Sequence, residues 1–432
     1  MNSQKSTITH PTEPHLPWGQ TLLISVQHIF VSNVWLDPIF VAASAGLSLA
    51  LSANLVNAIF IASGVVTLIQ ATRLVKLPIV QGPSAAFDAL MIDAGKNGLL
   101  SAAGGSVLAS GLIVMLLAVT GLLTKLVKKI TPEITGTIIF LVGVSLANFT
   151  LLEFLGGAPG TPSFAAPTTL LVAIVTAGLV VGLSLFAKGL WHRFSFLIAL
   201  VVGDSLAAIL QQIHFNGLAS HAWLGLPRLL PYGALTFNWA IFLSFLIAYG
   251  VAVVEAIGVY EASAAMTQET LSPKRVRNGI MGEAAGSILS SLIGGFPTTA
   301  FAQNLGVMKL TGVHSRKPIL LTGSLLLVLG FCPKLGAFLA LTPAAVIGGM
   351  FLPAAATLVI TGLNILKQVK RTDATDLIIG LSIILAIALP GYAADFPSAM
   401  RPLVSNQILV GAIAVTVLHI CLLTVPHLIR KK

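Results

Sequence analysis

The chain has 432 residues, of which 56% are hydrophobic and only 9% charged. A soluble domain carries about 25% charged residues, so this chain cannot cover a water-facing surface, and soluble enzymes, disordered tails and disulfide scaffolds are excluded. The net charge of +10 sits mainly in loops between apolar runs. That distribution argues against a nucleic-acid-binding patch. The runs last about 20 residues, the length of a membrane-crossing helix, and lack the short polar–apolar alternation of a barrel strand.

Residues 1–17 are polar and rich in proline, and no short apolar region with a small-residue cleavage site follows. They read as a cytoplasmic tail ahead of the first span. Beyond them the basic residues fall in clusters: Arg73 and Lys76; Lys125, Lys128 and Lys129; Lys188 and Arg193; Lys274, Arg275 and Arg277; Arg316 and Lys317; Lys367, Lys370 and Arg371; and Arg430, Lys431 and Lys432. Counted with Lys5, they bound seven mainly apolar stretches, each read as one hairpin out and back under the positive-inside rule. The expectation is therefore an all-α polytopic membrane protein of fourteen spans with both termini cytoplasmic. In chain order the spans are 18–45, 53–72, 78–93, 98–124, 131–151, 167–187 and 191–212, then 235–266, 277–296, 298–313, 318–333, 343–364, 373–391 and 404–427. The third, tenth and eleventh are short, and Pro297 interrupts the stretch from Arg277 to Arg316. Non-helical backbone at membrane depth survives only when buried in protein or lining a cavity. The region around Pro297 is thus a first candidate for a binding site.

Two motifs recur. Pro83-Ser84-Ala85-Ala86-Phe87 matches Pro297-Thr298-Thr299-Ala300-Phe301, and Thr131-Pro132 matches Thr342-Pro343, both at offsets near half of the 432 residues. Seven spans separate the copies, so the second half is expected to be inverted, a 7+7 repeat with short extended segments at spans 3 and 10. Interrupted segments at matching positions of inverted halves point to a transporter's midplane site. Cys332 and Cys421 lie far apart without metal-ligand spacing and are expected to be inert thiols.

After Phe301 the chain reads Ala302-Gln303-Asn304-Leu305-Gly306, continuing to Thr311-Gly312. Here it resembles the nucleobase–ascorbate transporter family, the xanthine/uracil permeases, at every fixed position of that family's signature. Gln27-His28, Leu77-Pro78 through Gln81-Gly82 to Phe87, and Val254-Glu255-Ala256-Ile257-Gly258 are similar to the family as well. The physical reading of these residues agrees. Glu255 is the one charged residue between Phe242 and Gly258. A carboxylate there is costly unless paired, protonated or facing water, which makes it a functional candidate. It can accept two N–H bonds from a planar heterocycle, and Gln303 offers an acceptor and two donors in one plane.

The resemblance implies that substrate sits between the two broken elements, held by Glu255, Gln303, the rings of Phe87 and Phe301, and the backbone around Ala86 and Ala302. Asn304 would hold Glu255 or the break in the chain. His28 would be either a proton relay or a hydrogen-bonded core histidine, and Glu283 the acidic residue that many purine members carry in the ninth span. The family's purine branch usually has a second acid four positions after Glu255, where this chain has Val259. Asp88, where apolar residues are usual, either replaces that acid beside Glu255 or caps the third-span helix.

The implied function is proton-coupled uptake of a nucleobase across the plasma (bacterial inner) membrane. Gln303, rather than the Glu of uracil members, favours a purine: xanthine, urate, hypoxanthine or guanine. A uracil permease and an anion carrier of sulfate or bicarbonate type are the alternatives. An enzyme is not expected, because there is no P-loop and no HExxH or other metal-ligand spacing. No cofactor and no nucleic-acid partner are expected; the partners are nucleobase, proton, lipid and a second copy in a homodimer. By resemblance the tail (1–17) precedes a mobile core of segments 18–130 and 235–341. A gate or scaffold is formed by 131–234 and by 342–432, the last including the C-terminal tail. The core would move in elevator fashion.

Overall fold

The computed structural model describes residues 16–123, 131–213, 215, 217–397 and 400–426. Most of the tail and the basic clusters Lys125, Lys128, Lys129 and Arg430–Lys432 lie outside the described residues. Where water is excluded, a helix satisfies its backbone groups within its own segment, and nearly every long apolar run is helical. The first half contains α1 (Trp18–Ser32), α2 (Leu36–Ser44) and α3 (Leu49–Ile69), which continues as a π turn through Leu74. Then come strand β1 (Gln81–Pro83), α4 (Asp88–Lys96), α5 (Leu100–Val119), α6 (Pro132–Phe154), α7 (Pro167–Phe186) and α8 (Ser195–Ile209). The second half contains α9 (Trp239–Thr267), α10 (Pro273–Leu292), strand β2 (Thr298–Ala300), α11 (Gln303–Thr311) and α12 (Arg316–Gly330). It ends with α13 (Pro333–Ala340), α14 (Ala344–Leu366), α15 (Asp373–Ala388) and α16 (Gln407–His419).

Among the described residues nine helical stretches are long and apolar enough to cross a membrane, and the pair α12–α13, bent by 83°, makes a tenth. The remaining expected spans differ for local reasons. Spans 3 and 10 each resolve into a three-residue strand and a nine-residue helix. The ninth, α10, opens with Lys274, Arg275 and Arg277 and carries Glu283. The seventh, α8, has only 15 residues. The first span, one of the nine, turns between α1 and α2 at Asn33, whose φ of 51° lies in the left-handed region.

Small residues let these helices approach closely, the usual solution where lipid is as apolar as the side chains. α6 and α14 run antiparallel in direct contact, and glycines supply the room. A Cβ at Gly143 would lie 2.7 Å from the Val359 nitrogen, and one at Gly362 2.4 Å from the Phe140 nitrogen. Both neighbours are backbone atoms and cannot rotate away. Gly362→Val is therefore expected to force the two helices apart, at about 1–3 kcal/mol or more for overpacking. A detergent thermal-unfolding curve should shift down by several degrees; an unchanged midpoint would show that the pair has slack.

Candidate functional site

The two broken spans meet each other. β1 and β2 pair antiparallel, with Gln81 opposite Ala300, Gly82 opposite Thr299 and Pro83 opposite Thr298. The ladder is extended by Ser84 N–H to the Pro297 carbonyl at 2.9 Å and by Phe301 N–H to the Val80 carbonyl at 3.0 Å. These strands are fully buried, so pairing satisfies backbone that has no helix to satisfy it. Each strand leads within a few residues into a short helix, α4 or α11.

α9 packs against β2 and α11. The Thr299 hydroxyl reaches the Ala252 carbonyl at 3.4 Å, one turn before Glu255. Glu255 is half-buried and Gln303 is exposed at the first position of α11, next to exposed Ala302. A Cβ at Gly258 or Gly306 would meet no atom within 4 Å. A half-open carboxylate, a planar amide and bare backbone therefore lie on elements in contact with one another. The aromatic rings are arranged differently from the expectation. Phe301 is buried with its ring over Gly82, where a Cβ would come within 2.5 Å of it. Phe87 is fully buried against Phe245 and Tyr249, with ring centroids 5.6 and 5.1 Å away. Ala86, just before it, is buried too.

Glu283 joins the pieces. Its Oε1 accepts from the Tyr260 hydroxyl at 2.6 Å and from Gln81 Nε2 at 3.2 Å, and its Oε2 from the Thr299 hydroxyl at 3.3 Å. Gln70 extends the network, donating from Nε2 to the Gly279 carbonyl at 2.7 Å and to the Tyr260 oxygen at 3.4 Å. One carboxylate thereby ties α9, α10 and both strands together.

Two expected contacts fall elsewhere. Asn304 does not bond to Glu255 among the described residues. Its Nδ2 lies 3.0 Å from His28 Nδ1 and donates to the His28 carbonyl at 3.1 Å, fastening α11 to α1. Position 304 follows a full turn of chain from the strand, which aims its side chain at α1. Asp88 does not cap α4, which has no side-chain cap bond, and among the described residues neither of its buried oxygens has a hydrogen-bond partner. Its charged neighbour is Asp37 of α2, not Glu255.

A sequence model of the xanthine/uracil permeases, described as a permease family, matches residues 19–394. The chain belongs to this permease family. The uric acid permease PucJ of Bacillus subtilis is 30% identical over 92% of this chain and 91% of its own. The xanthine permease of the same organism is 28% identical over 93% of this chain and 94% of its own. The uric acid transporter UacT of Escherichia coli is 25% identical over 93% and 86%. In fold, the chain is similar to the transmembrane domain of the cyanobacterial bicarbonate transporter BicA, with a TM-score of 0.62 at 17% identity over 92% of this chain and 98% of that one. The murine anion transporter Slc26a9 in its inward-facing state gives 0.62 at 14% identity over 93% and 68%. The chain is thus a membrane permease and not an enzyme.

Three polar residues around the candidate site escape the sequence reading, Asp37, Gln70 and Tyr260, and Thr299 enters it only as part of the recurring motif. Gln70 and Asp37 carry a weak signal, since each is a polar group within a long apolar run. Tyr260 carries none, because a hydroxyl is an ordinary constituent of a membrane helix.

Proposed function

We propose that this permease takes up a purine nucleobase, driven by the proton gradient, across the bacterial inner membrane. The carrying observation is Glu255: a half-buried carboxylate with no hydrogen-bond partner among the described residues, on the helix that packs against β2 and α11. Two carboxylate oxygens match adjacent N–H groups of a heterocycle, and the Gln303 amide matches a neighbouring carbonyl and N–H. Purine transport is also what the names of the relatives above describe. The anion-carrier alternative rests on fold likeness alone. An anion site wants a cation or bare helix N-termini facing the ligand, and a carboxylate beside the break opposes it.

The mechanism we propose is an elevator built from fourteen crossings in a 7+7 inverted repeat, with both termini cytoplasmic. Matched elements support the repeat: α6 and α14 both have 23 residues, and β1–α4 and β2–α11 share lengths of three and nine. The division into a core (18–130 and 235–341) and a scaffold (131–234 and 342–432) is supported by packing partners. α3 lies against α12, and α5 against α9 and α10, whereas α14 lies against α6 and α7, and α16 against α6 and α15. Exposed apolar faces such as Leu171, Ile174 and Leu185 on α7 and Leu377, Leu381 and Ile384 on α15 suit lipid and a homodimer contact.

The test is competition in proteoliposomes among labelled xanthine, urate, guanine, adenine and uracil, with and without a proton gradient. Purines should compete and uracil should not; competition by uracil alone, or transport of bicarbonate in their place, would overturn the reading. Gln303→Glu should weaken purine binding about tenfold, because it turns donors into acceptors at one edge of the ligand and leaves a buried mismatch. An unchanged profile would place Gln303 away from the substrate.

A further inference from the structure

Asp88 and Asp37 are the acids that the substrate site does not use. Asp37 sits in the first turn of α2 and Asp88 opens α4, and these two helices pack against each other. Asp88 is fully buried, and neither of its oxygens has a hydrogen-bond partner among the described residues. Asp37 is only partly buried, so it is the more open of the two. The two carboxyl groups are close enough to repel when both are charged.

Among the described residues no neighbouring element supplies the missing positive charge. α5 carries no charged residue, and neither do α3 and α14, which flank α2. α13, also against α2, carries Lys334, which lies over the Trp223 ring at 4.7 Å. α6 contributes acids, Glu133 and Glu153. Glu133 lies with Oε1 3.0 Å from His419 Nδ1, and Glu153 accepts from Ser44 at 3.0 Å. α9 contributes Tyr249, whose ring meets Phe87, and beyond it Glu255, Tyr260 and Glu261. On α4 itself Lys96 lies eight residues beyond Asp88, about 12 Å along a helix. Lys96 stands over the Phe149 ring at 4.6 Å and interacts with Asp93 and Glu153. The helix N-termini favour negative charge on both aspartates, but only within the weak range of a macrodipole. Two carboxylates in apolar surroundings, with no cation and no donor on the deeper one, require a positive charge from outside.

We propose that Asp37 and Asp88 together hold the coupling cation: one positive charge, carried as a proton or as Na+. Asp37, the more open, is the entry, and Asp88 the enclosed holder. Asp88 directly follows the Ala86-Phe87 turn that β1 leads into, so occupancy of the pair is felt at one of the two broken spans. This inference rests on the transport reading above and supplies the acid absent at Val259.

The experiment compares wild type, Asp37→Asn and Asp88→Asn in the same proteoliposomes. Exchange of labelled xanthine or urate is measured without a gradient, and accumulation under a proton gradient alone and a sodium gradient alone. One gradient should drive the wild type, and that one names the ion. Each variant should keep exchange within about twofold and lose accumulation at least about tenfold. Normal accumulation in either variant overturns the pair. So does loss of exchange together with accumulation in a folded variant, which would make the pair part of the substrate path. Should Asp88→Asn fail to insert, Asp37→Asn decides alone. A wild type that exchanges no nucleobase overturns the transport reading, and this inference with it; intact exchange with unaltered coupling overturns this inference only.

Discussion

Glu255→Gln should reduce nucleobase accumulation to background while leaving the amount and thermal stability of the protein unchanged. The two halves of that expectation have separate origins. Glu255 makes no hydrogen bond with another described residue, so its carboxylate supports no packing that the amide would break. Substrate N–H groups, by contrast, would face an NH2 where an oxygen stood. A hydrogen bond to a charged group is worth about 1.5–3 kcal/mol, and an unsatisfied buried donor costs about 1–3 kcal/mol more. At 1.4 kcal/mol per factor of ten, binding falls by at least one to two orders of magnitude. Substrate-induced thermal stabilisation and uptake measured on one preparation check both halves; near-normal uptake would remove Glu255 from the ligand.

Glu283→Ala should have the opposite signature, with instability preceding loss of transport. It removes the common acceptor of Tyr260, Gln81 and Thr299, at 2.6, 3.2 and 3.3 Å. All four side chains are buried. Tyr260 and Gln81 are left without this acceptor, at about 1–3 kcal/mol each, while Thr299 keeps the Ala252 carbonyl at 3.4 Å; Gln81 belongs to β1 itself. A lowered unfolding midpoint and loss of exchange are expected together, with Glu283→Gln intermediate because it keeps one acceptor oxygen. A stable Glu283→Ala protein with unaltered exchange would show that the ladder holds without the carboxylate.

What could be read from the sequence was whatever has a local signature. Long apolar runs, charges grouped at their ends, a lone carboxylate at Glu255 and the Gln303-Asn304 run each appear within a few tens of residues. Proline and small residues at positions 83–86 and 297–300 marked the broken spans. What could not be read depends on which helices lie side by side. Asn304 reaches His28 across 276 residues of chain, and nothing near either residue distinguishes that partner from Glu255. Asp88 looked like a cap or a neighbour of Glu255, yet its neighbour is on α2. Hydropathy also counts residues without regard to backbone: it gives the same weight to α11, nine residues long after a strand, as to a continuous helix. Phe87 and Phe301 were identified as aromatic, but the direction of their rings follows from the packing of α9 and the bareness of Gly82.

The pairing of β1 with β2 also sets the order in which the molecule can be made. Gln81 has its partner at Ala300, more than two hundred residues later. While the ribosome works through that interval, the first extended segment has left water without the main-chain partners it will finally have. Unpaired backbone is costly in lipid, so such a segment is expected to stay near the membrane surface until the second arrives. The part of the chain that precedes α9 therefore forms an unfinished intermediate by itself. A break of the chain between α8 and α9 should be tolerated only if both pieces are synthesised together.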